Sequence, residues 1–325
     1  MSHLSVVLPL WQDRSPRENL AIATKADELG YQNLWIGEMA TYDAFVLATG
    51  VGTDTNLDIT VGPLAVGVRT PASVAMSVAS VSDLIGRPVS VAVGASSPVM
   101  VQQWHGRPWF DTARQLAESV DIIRELLEGG RSHHQGVRAS STGYRLRLQP
   151  PGAHITVAAF GPRALGVGAE KADRVVLNMV TAESVARIAQ MVADRARGAR
   201  RPAPPLAVWL TAAVEPTPEA HVQIARARSG YLSVPGYADM IRQAGFGDLV
   251  DQAMSGVSLN ELQASIPPEL DDVIGVAGPA DHVEKRIARY RSAGAAEICL
   301  VPVTAGDPEG ERTLTALRPS RPEGR

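Results

Sequence analysis

Two short runs of small residues mark where this chain could hold an anion. Gly94-Ala-Ser-Ser97 follows an apolar stretch, Val89-Ser-Val-Ala-Val, and Ala158-Ala-Phe-Gly-Pro-Arg163 closes another with a glycine, a proline and a cation. Each pattern suits a strand that stops and hands over to a helix. At such a turn backbone N–H groups are unpaired, small side chains let a ligand approach, and a helix N-terminus carries partial positive charge. Phosphate binding is the chemistry this permits, with a phosphorylated cofactor bridging the two runs. The alternative is that both are tight strand-to-helix turns and hold nothing. Just beyond the first run, Trp104-His105-Gly106 adds an imidazole.

Other chemistries lack their spacing. There is no His-Glu-x-x-His, no Cys-x-x-Cys and no P-loop, so no metal site is expected. Gly94-Ala-Ser-Ser-Pro98 lacks the second glycine of a hydrolase nucleophile elbow. Gly166-Val-Gly168 begins like a dinucleotide fingerprint, but it falls inside an expected helix and is followed by Lys171 rather than a third glycine. His133-His134 reads as a solvated loop pair. Cys299, the single cysteine, sits in Glu-Ile-Cys-Leu-Val and reads as a buried structural thiol.

The elements that must position these runs alternate. Strands are expected over 5–10, 31–38, 57–66, 89–94, 154–160, 174–179, 206–214 and 297–302. Helices are expected between them: 16–29 with Ser15 as cap, 42–50 entered past Asp43, 71–84 capped by Thr70, 111–127, 162–171, 183–197 and 280–293. Gly62-Pro63 marks a bulge in the third strand. Residues 131–150 read as a surface loop or short hairpin around Tyr144. Eight strands alternating with helices are the count of an α/β (β/α)8 TIM barrel, with a doubly wound open sheet as the alternative. The stretch 219–272 is longer than one barrel helix needs. A helical insertion after strand seven is therefore expected, about 228–272, within one domain spanning 1–325 whose tail past the apolar patch 314–317 is frayed.

Composition narrows the partners. With 325 residues, 45% hydrophobic and 20% charged, the chain can bury a large core, and a net charge of −3 without a basic stripe argues against nucleic acid. No basic-plus-apolar leader and no run of about 20 apolar residues is present, so a cytoplasmic protein that neither enters nor crosses a membrane is expected.

A set of landmarks then resembles a known family. They are Leu34-Trp-Ile-Gly-Glu38 with Tyr42-Asp-Ala-Phe45, Val68-Arg-Thr-Pro-Ala72, Val93-Gly-Ala-Ser-Ser-Pro98 with Trp104-His-Gly106, Val157-Ala-Ala-Phe-Gly-Pro-Arg163, the stretch Tyr231 to Tyr237, and Tyr290-Arg-Ser-Ala-Gly294. In this order and spacing, over nearly the whole chain, they are similar to the luciferase-like monooxygenase superfamily, in the branch that uses the deazaflavin coenzyme F420 in place of FMN. That resemblance implies a barrel that is usually a homodimer. Its cofactor phosphate would lie near Gly94, Ala95, Ser96 and Ser97 and near Ala158, Ala159, Phe160, Gly161, Pro162 and Arg163. It also implies a non-prolyl cis peptide near Leu64-Ala65 that buttresses the cofactor ring. The family's F420-dependent dehydrogenases carry Asp-His where Glu38-Met39 stand here. Glu38 can serve as acid or base at a desolvated strand end, or be salt-bridged. His105 can transfer a proton, pack, or contact phosphate. Asp43 reads as a helix cap.

Three functions follow as expectations. The first is an F420-dependent oxidoreductase passing a hydride between the deazaflavin C5 and a small organic substrate. The second is an FMNH2-dependent monooxygenase of the same fold, and the third a flavin- or F420-binding barrel without turnover.

Overall fold

A computed structural model describes residues 3–149, 151–234 and 236–319. The strands are β1 (His3–Leu8), β2 (Asn33–Ile36), β3 (Asp58–Ala65), β4 (Val89–Gly94), β5 (Arg131–Gln135), β6 (Ser140–Arg145), β7 (Ile155–Ala158), β8 (Arg174–Asn178), β9 (Leu206–Val214), β10 (Gly275–Gly278) and β11 (Ala295–Pro302). The helices are α1 (Glu18–Glu28), α2 (Ala44–Asp54), α3 (Pro71–Ile85), α4 (Thr112–Leu127), α5 (Pro162–Lys171), α6 (Ala182–Gly198), α7 (Pro218–Ser229), α8 (Tyr237–Gln243), α9 (Gly247–Met254), α10 (Leu259–Ser265), α11 (Asp271–Ile274), α12 (Ala280–Ser292) and α13 (Glu311–Ala316).

Hydrogen bonding orders the main sheet β10-β9-β11-β1-β2-β3-β4-β7-β8, and a further β9–β8 pairing closes it. The ring of eight is β1, β2, β3, β4, β7, β8, β9 and β11, so the fold is the expected (β/α)8 barrel rather than an open sheet. Its strands are apolar on both faces, as parallel strands covered by helices must be. Val89, Val91, Ala92 and Val93 of β4 are all buried.

Contacts divide the chain into two compact units. One comprises Gln32–Val176 and Gln190–Leu206. Here α4 buries Leu116, Val120, Ile123 and Leu127 at the expected spacing of three and four. It begins at Thr112, because Asp111 takes a left-handed conformation just before it. Gly168 explains the glycine pair inside α5: a Cβ there would come 2.7 Å from Val175 Cγ2, so the residue is small for helix-on-strand packing. The stretch after α4 is an antiparallel β5–β6 hairpin. Its tip is fixed by Glu118, which accepts N–H bonds from Val137 (3.1 Å), Arg138 (2.7 Å) and Ala139 (2.7 Å).

The other unit comprises Met1–Tyr31, Leu177–Ala189 and Ala207–Arg325. β1 and β11 run parallel with Ser5 opposite Cys299, whose thiol is fully buried. Ser5 Oγ donates to Glu297 Oε1 at 2.6 Å between them. α1 starts at Glu18 after Arg17, not at Pro16 after Ser15, and Arg17 makes no side-chain cap. Ser15 contributes its backbone carbonyl instead, accepting from Glu18 N. The helical segment after β9 is present as α7 to α11. Arg228 of α7, 1% exposed, forms an ion pair with Asp271 of α11 that ties its two ends together. β10, four residues with a glycine at each end, was too short to be expected; it pairs with β9 from Gly275↔Thr211 to Gly278↔Val214. α13 buries Leu314, whose carbonyl accepts from Tyr31 Oη at 2.9 Å. The end of the tail expected to fray, from Ser320 onward, lies outside the described residues. No helix among the described residues is long and apolar enough to cross a membrane.

Candidate functional site

The site is built on the carboxyl ends of β2, β3, β4 and β7. β3 carries the expected bulge: its register with β4 shifts between Val61 and Leu64. Gly62 has φ +121°, and a Cβ there would lie 2.1 Å from the Ala92 carbonyl oxygen, so no other residue fits. The cis bond in this bulge is Gly62-Pro63, a prolyl one, and not the non-prolyl bond expected near Leu64-Ala65. Proline is the residue whose tertiary amide removes most of the preference for trans, so the sequence supplies the geometry two residues earlier with a commoner device.

Beyond the bulge the strands realign and bring the predicted residues together. Leu64 pairs with Val93, Ala65 with Gly94, and Gly94 with Ala158. Val66 N extends the ladder by donating to Gly94 O at 3.0 Å. A Cβ on Gly94 would meet Ala158 Cβ at 3.2 Å and Ala158 O at 3.3 Å, so this row is a shelf of minimal side chains.

Two loops continue the shelf. After β4, Ala95 O accepts from Trp109 Nε1 at 3.2 Å, Ser96 has φ +63°, and Ser97 Oγ accepts from Met100 N at 3.3 Å. A π-helical turn, Val99–Trp104, follows, a form often found at functional sites. Its Val101 is buried so closely that a Cβ on Gly67 would come 2.8 Å from Val101 Cγ1. Trp104 is 54% exposed, and His105 closes the turn with an exposed ring. After β7, Ala159 N donates to Val176 O at 3.2 Å, Phe160 leads to Gly161, and Gly161 caps α5 without a side-chain bond. Pro162 takes the first helical position and Arg163 is exposed in the first turn. An extended glycine cap leaves the first-turn N–H groups open to an anion, which fits a phosphate group.

At the end of β2 the chemistry differs. Arg69 Nε donates to Glu38 Oε2 at 2.8 Å, and Arg69 Nη2 donates to both Glu38 Oε1 and Asp43 Oδ2. Ala44 N donates to Glu38 Oε1 at 3.2 Å. Asp43 also caps α2, as expected, accepting from Phe45 N at 2.9 Å and Val46 N at 3.1 Å. The guanidinium lies 5.3 Å from the Phe45 ring centroid. Bonding to Glu38, with Asp43 beside it, raises the Arg69 pKa against the opposing effect of burial. Burial works to raise the Asp43 pKa, but the Arg69 ion pair and the two cap N–H groups outweigh it, and the net shift is downward. Glu38 is thus held at both oxygens. The landmark Val68-Arg-Thr-Pro-Ala72 contained Arg69, yet nothing in its spacing paired it with Glu38.

The second unit holds a cluster the sequence reading left unassembled. At the end of β8, Tyr237 Oη donates to Asn178 O at 3.0 Å, and Asn178 Nδ2 donates to Tyr231 Oη at 3.4 Å. The two rings meet edge to face, 5.1 Å apart. Burial raises both phenol pKa values. An asparagine at the carboxyl end of a barrel strand was the available signal for it.

Comparison with known proteins agrees with this architecture. The model of the luciferase-like monooxygenase family matches residues 4–297. A Mycobacterium tuberculosis protein provisionally assigned as a coenzyme F420-dependent oxidoreductase is 24% identical over 348 aligned positions, covering 97% of this chain and 98% of that one. The coenzyme F420-dependent tetrahydromethanopterin reductase of Methanopyrus kandleri superposes with a TM-score of 0.84 at 15% identity, over 98% of both chains. The oxygenating constituent of 3,6-diketocamphane monooxygenase from Pseudomonas putida, solved with FMN, superposes with a TM-score of 0.70 at 17% identity, over 98% of this chain and 96% of that one. With a family model matched from the first strand into the last, this chain belongs to the luciferase-like monooxygenase family.

Proposed function

We propose that this protein is a coenzyme F420-dependent oxidoreductase that passes a hydride between the deazaflavin C5 and a small organic substrate. The shelf of minimal side chains across β3, β4 and β7, flanked by an open helix N-terminus, is the observation that carries the reading. It offers a flat ring a close approach to backbone and offers a phosphate group free N–H donors and Arg163. When bound, the cofactor supplies the hydride chemistry. The chain's own residues bind it, orient it and handle the accompanying proton.

Leu64 and Ala65 support the ring from the bulge. Gly94, Ala95, Ser96 and Ser97, with Ala158, Ala159, Phe160, Gly161, Pro162 and Arg163, hold the phosphate-bearing arm. Of the two groups considered for the proton, His105 has an exposed ring on the loop next to the shelf, whereas both Glu38 oxygens are engaged by Arg69 and Ala44. His105 is therefore assigned the proton, and Glu38 is assigned the positioning of Arg69. Once a substrate is found, His105→Asn should cost turnover by about 100-fold, the lower end of general acid–base contributions, with F420 affinity unchanged. An equal loss in Glu38→Gln that removes a limb of the pH profile would reverse the assignment.

A second reading, an FMNH2-dependent monooxygenase, draws on the similarity to the FMN-containing Pseudomonas putida structure. Fluorescence titration of the purified protein with F420 and with FMN separates the two. Saturable F420 binding with weak FMN binding is expected, and tight FMN binding with none of F420 defeats the proposal. Binding of either cofactor without turnover across a broad substrate panel would favour a non-catalytic barrel.

A further inference from the structure

The base of the β5–β6 hairpin concentrates positive charge in a way that the barrel site does not use. Arg131 and Arg145 are directly opposed in the antiparallel ladder, and like charges in that position repel. The burial pattern alternates from Tyr144 to Gln149, so Arg145 and Arg147 share the exposed face while Leu146 turns inward. The three arginines line a concavity of ≈ 670 Å³ formed by Gly129, Arg131 and residues 143–149, and no acidic residue lines it.

Nearby carboxylates do not relieve the repulsion. On α4, Glu118 is occupied by the hairpin tip, Asp121 by Lys171, Glu125 by His133, and Glu128 faces Arg124. Several arginines elsewhere in the same unit do have acidic partners: Arg69 with Glu38, Arg124 with Asp173, Arg195 with Glu170 and Arg197 with Asp194. Among the described residues Arg145 and Arg147 have none. Arg131 Nη1 donates to Gly143 O at 2.8 Å, which orients that guanidinium and leaves its remaining donors available.

We propose that this concavity is a binding site for a small phosphorylated ligand, separate from the cofactor shelf. Three guanidinium groups call for a ligand with at least two negative charges and several oxygens, and each fork matches a pair of phosphate oxygens. Tyr144 and Leu148, half-buried in the lining, supply apolar surface for the organic part of such a ligand. The site does not rest on the proposed reaction.

Calorimetric titration of the whole protein with pyrophosphate, at fixed ionic strength, tests it. Saturable binding at the hairpin arginines is expected. Its affinity should fall by about tenfold, ~1.4 kcal/mol, in Arg145→Ser and again in the Arg145→Ser, Arg147→Ser double variant, both keeping the wild-type circular dichroism. Arg163→Ser, on the cofactor shelf, should leave it unchanged. The proposal is overturned if no saturable binding occurs, if Arg145→Ser binds like wild type, or if only Arg163→Ser abolishes binding. Saturable binding of an oligonucleotide without any of pyrophosphate would also overturn it in favour of a macromolecular partner.

Discussion

Adjacent in one sheet, the carboxyl ends of β2 and β3 and those of β4 and β7 solve opposite problems. The first pair gathers charge and consumes it internally: Glu38, Arg69, Asp43 and the N–H groups that open α2 satisfy one another. The second pair, together with the last residue of β3, removes side chains until only backbone and methyl groups remain along Ala65, Gly94 and Ala158. Residues rich in functional groups are thus the fixed frame here, and the residues poorest in them form the row proposed above to receive the cofactor.

Substitutions can break that contrast in order of effect. Gly62→Ala should be the most damaging, because the new Cβ meets a backbone oxygen and the residue sits at positive φ. A loss on the order of 3 kcal/mol in denaturant unfolding is expected, and a change below about 1 kcal/mol would show that the bulge is pliable.

Next, Arg69→Met leaves two carboxylates facing each other without their cation. Because both partners are partly exposed, a loss of only about 1–2 kcal/mol is expected. The pH dependence gives the sign. The folded-state pKa of Asp43 lies below its unfolded value, so its contribution is complete above the unfolded value of about 3.9 and disappears as pH falls through the folded one. The gap between wild type and Arg69→Met should therefore be full at pH 7 and close on acidification below about pH 4; a gap that stays constant down to pH 2 would mean that the ion pair contributes nothing.

Gly94→Ala should cost least in stability, about 1 kcal/mol, since Ala158 can yield by a few tenths of an ångström. Its effect belongs in ligand affinity instead. An F420 dissociation constant unmoved by this change would mean that the shelf is not the cradle.

Much of the frame was readable in advance. The eight ring strands announced themselves as short apolar runs, and Gly62-Pro63 as an interruption, because backbone and burial requirements are written locally. Thr70 and Asp43 were legible as caps for the same reason. The pairing of Arg69 with Glu38 was not, because the partners stand 31 positions apart and only the tertiary fold brings them together. The same holds for Asn178 with Tyr231, 53 positions away. The π-helical turn at Val99–Trp104 adds one residue per turn without leaving a mark in composition. β10 escaped because four residues between glycines carry too little periodicity to register.

The single thiol offers a clock. Cys299 lies fully buried in the middle of β11, and no second cysteine competes with it. A thiol-reactive dye in excess can reach it only when β11 parts from its surroundings, so in the native protein the labelling rate counts openings of that strand. Any ligand that binds the closed barrel would slow the count by its own mass action, turning one hidden sulfur into a binding assay that needs neither a known substrate nor a coloured cofactor.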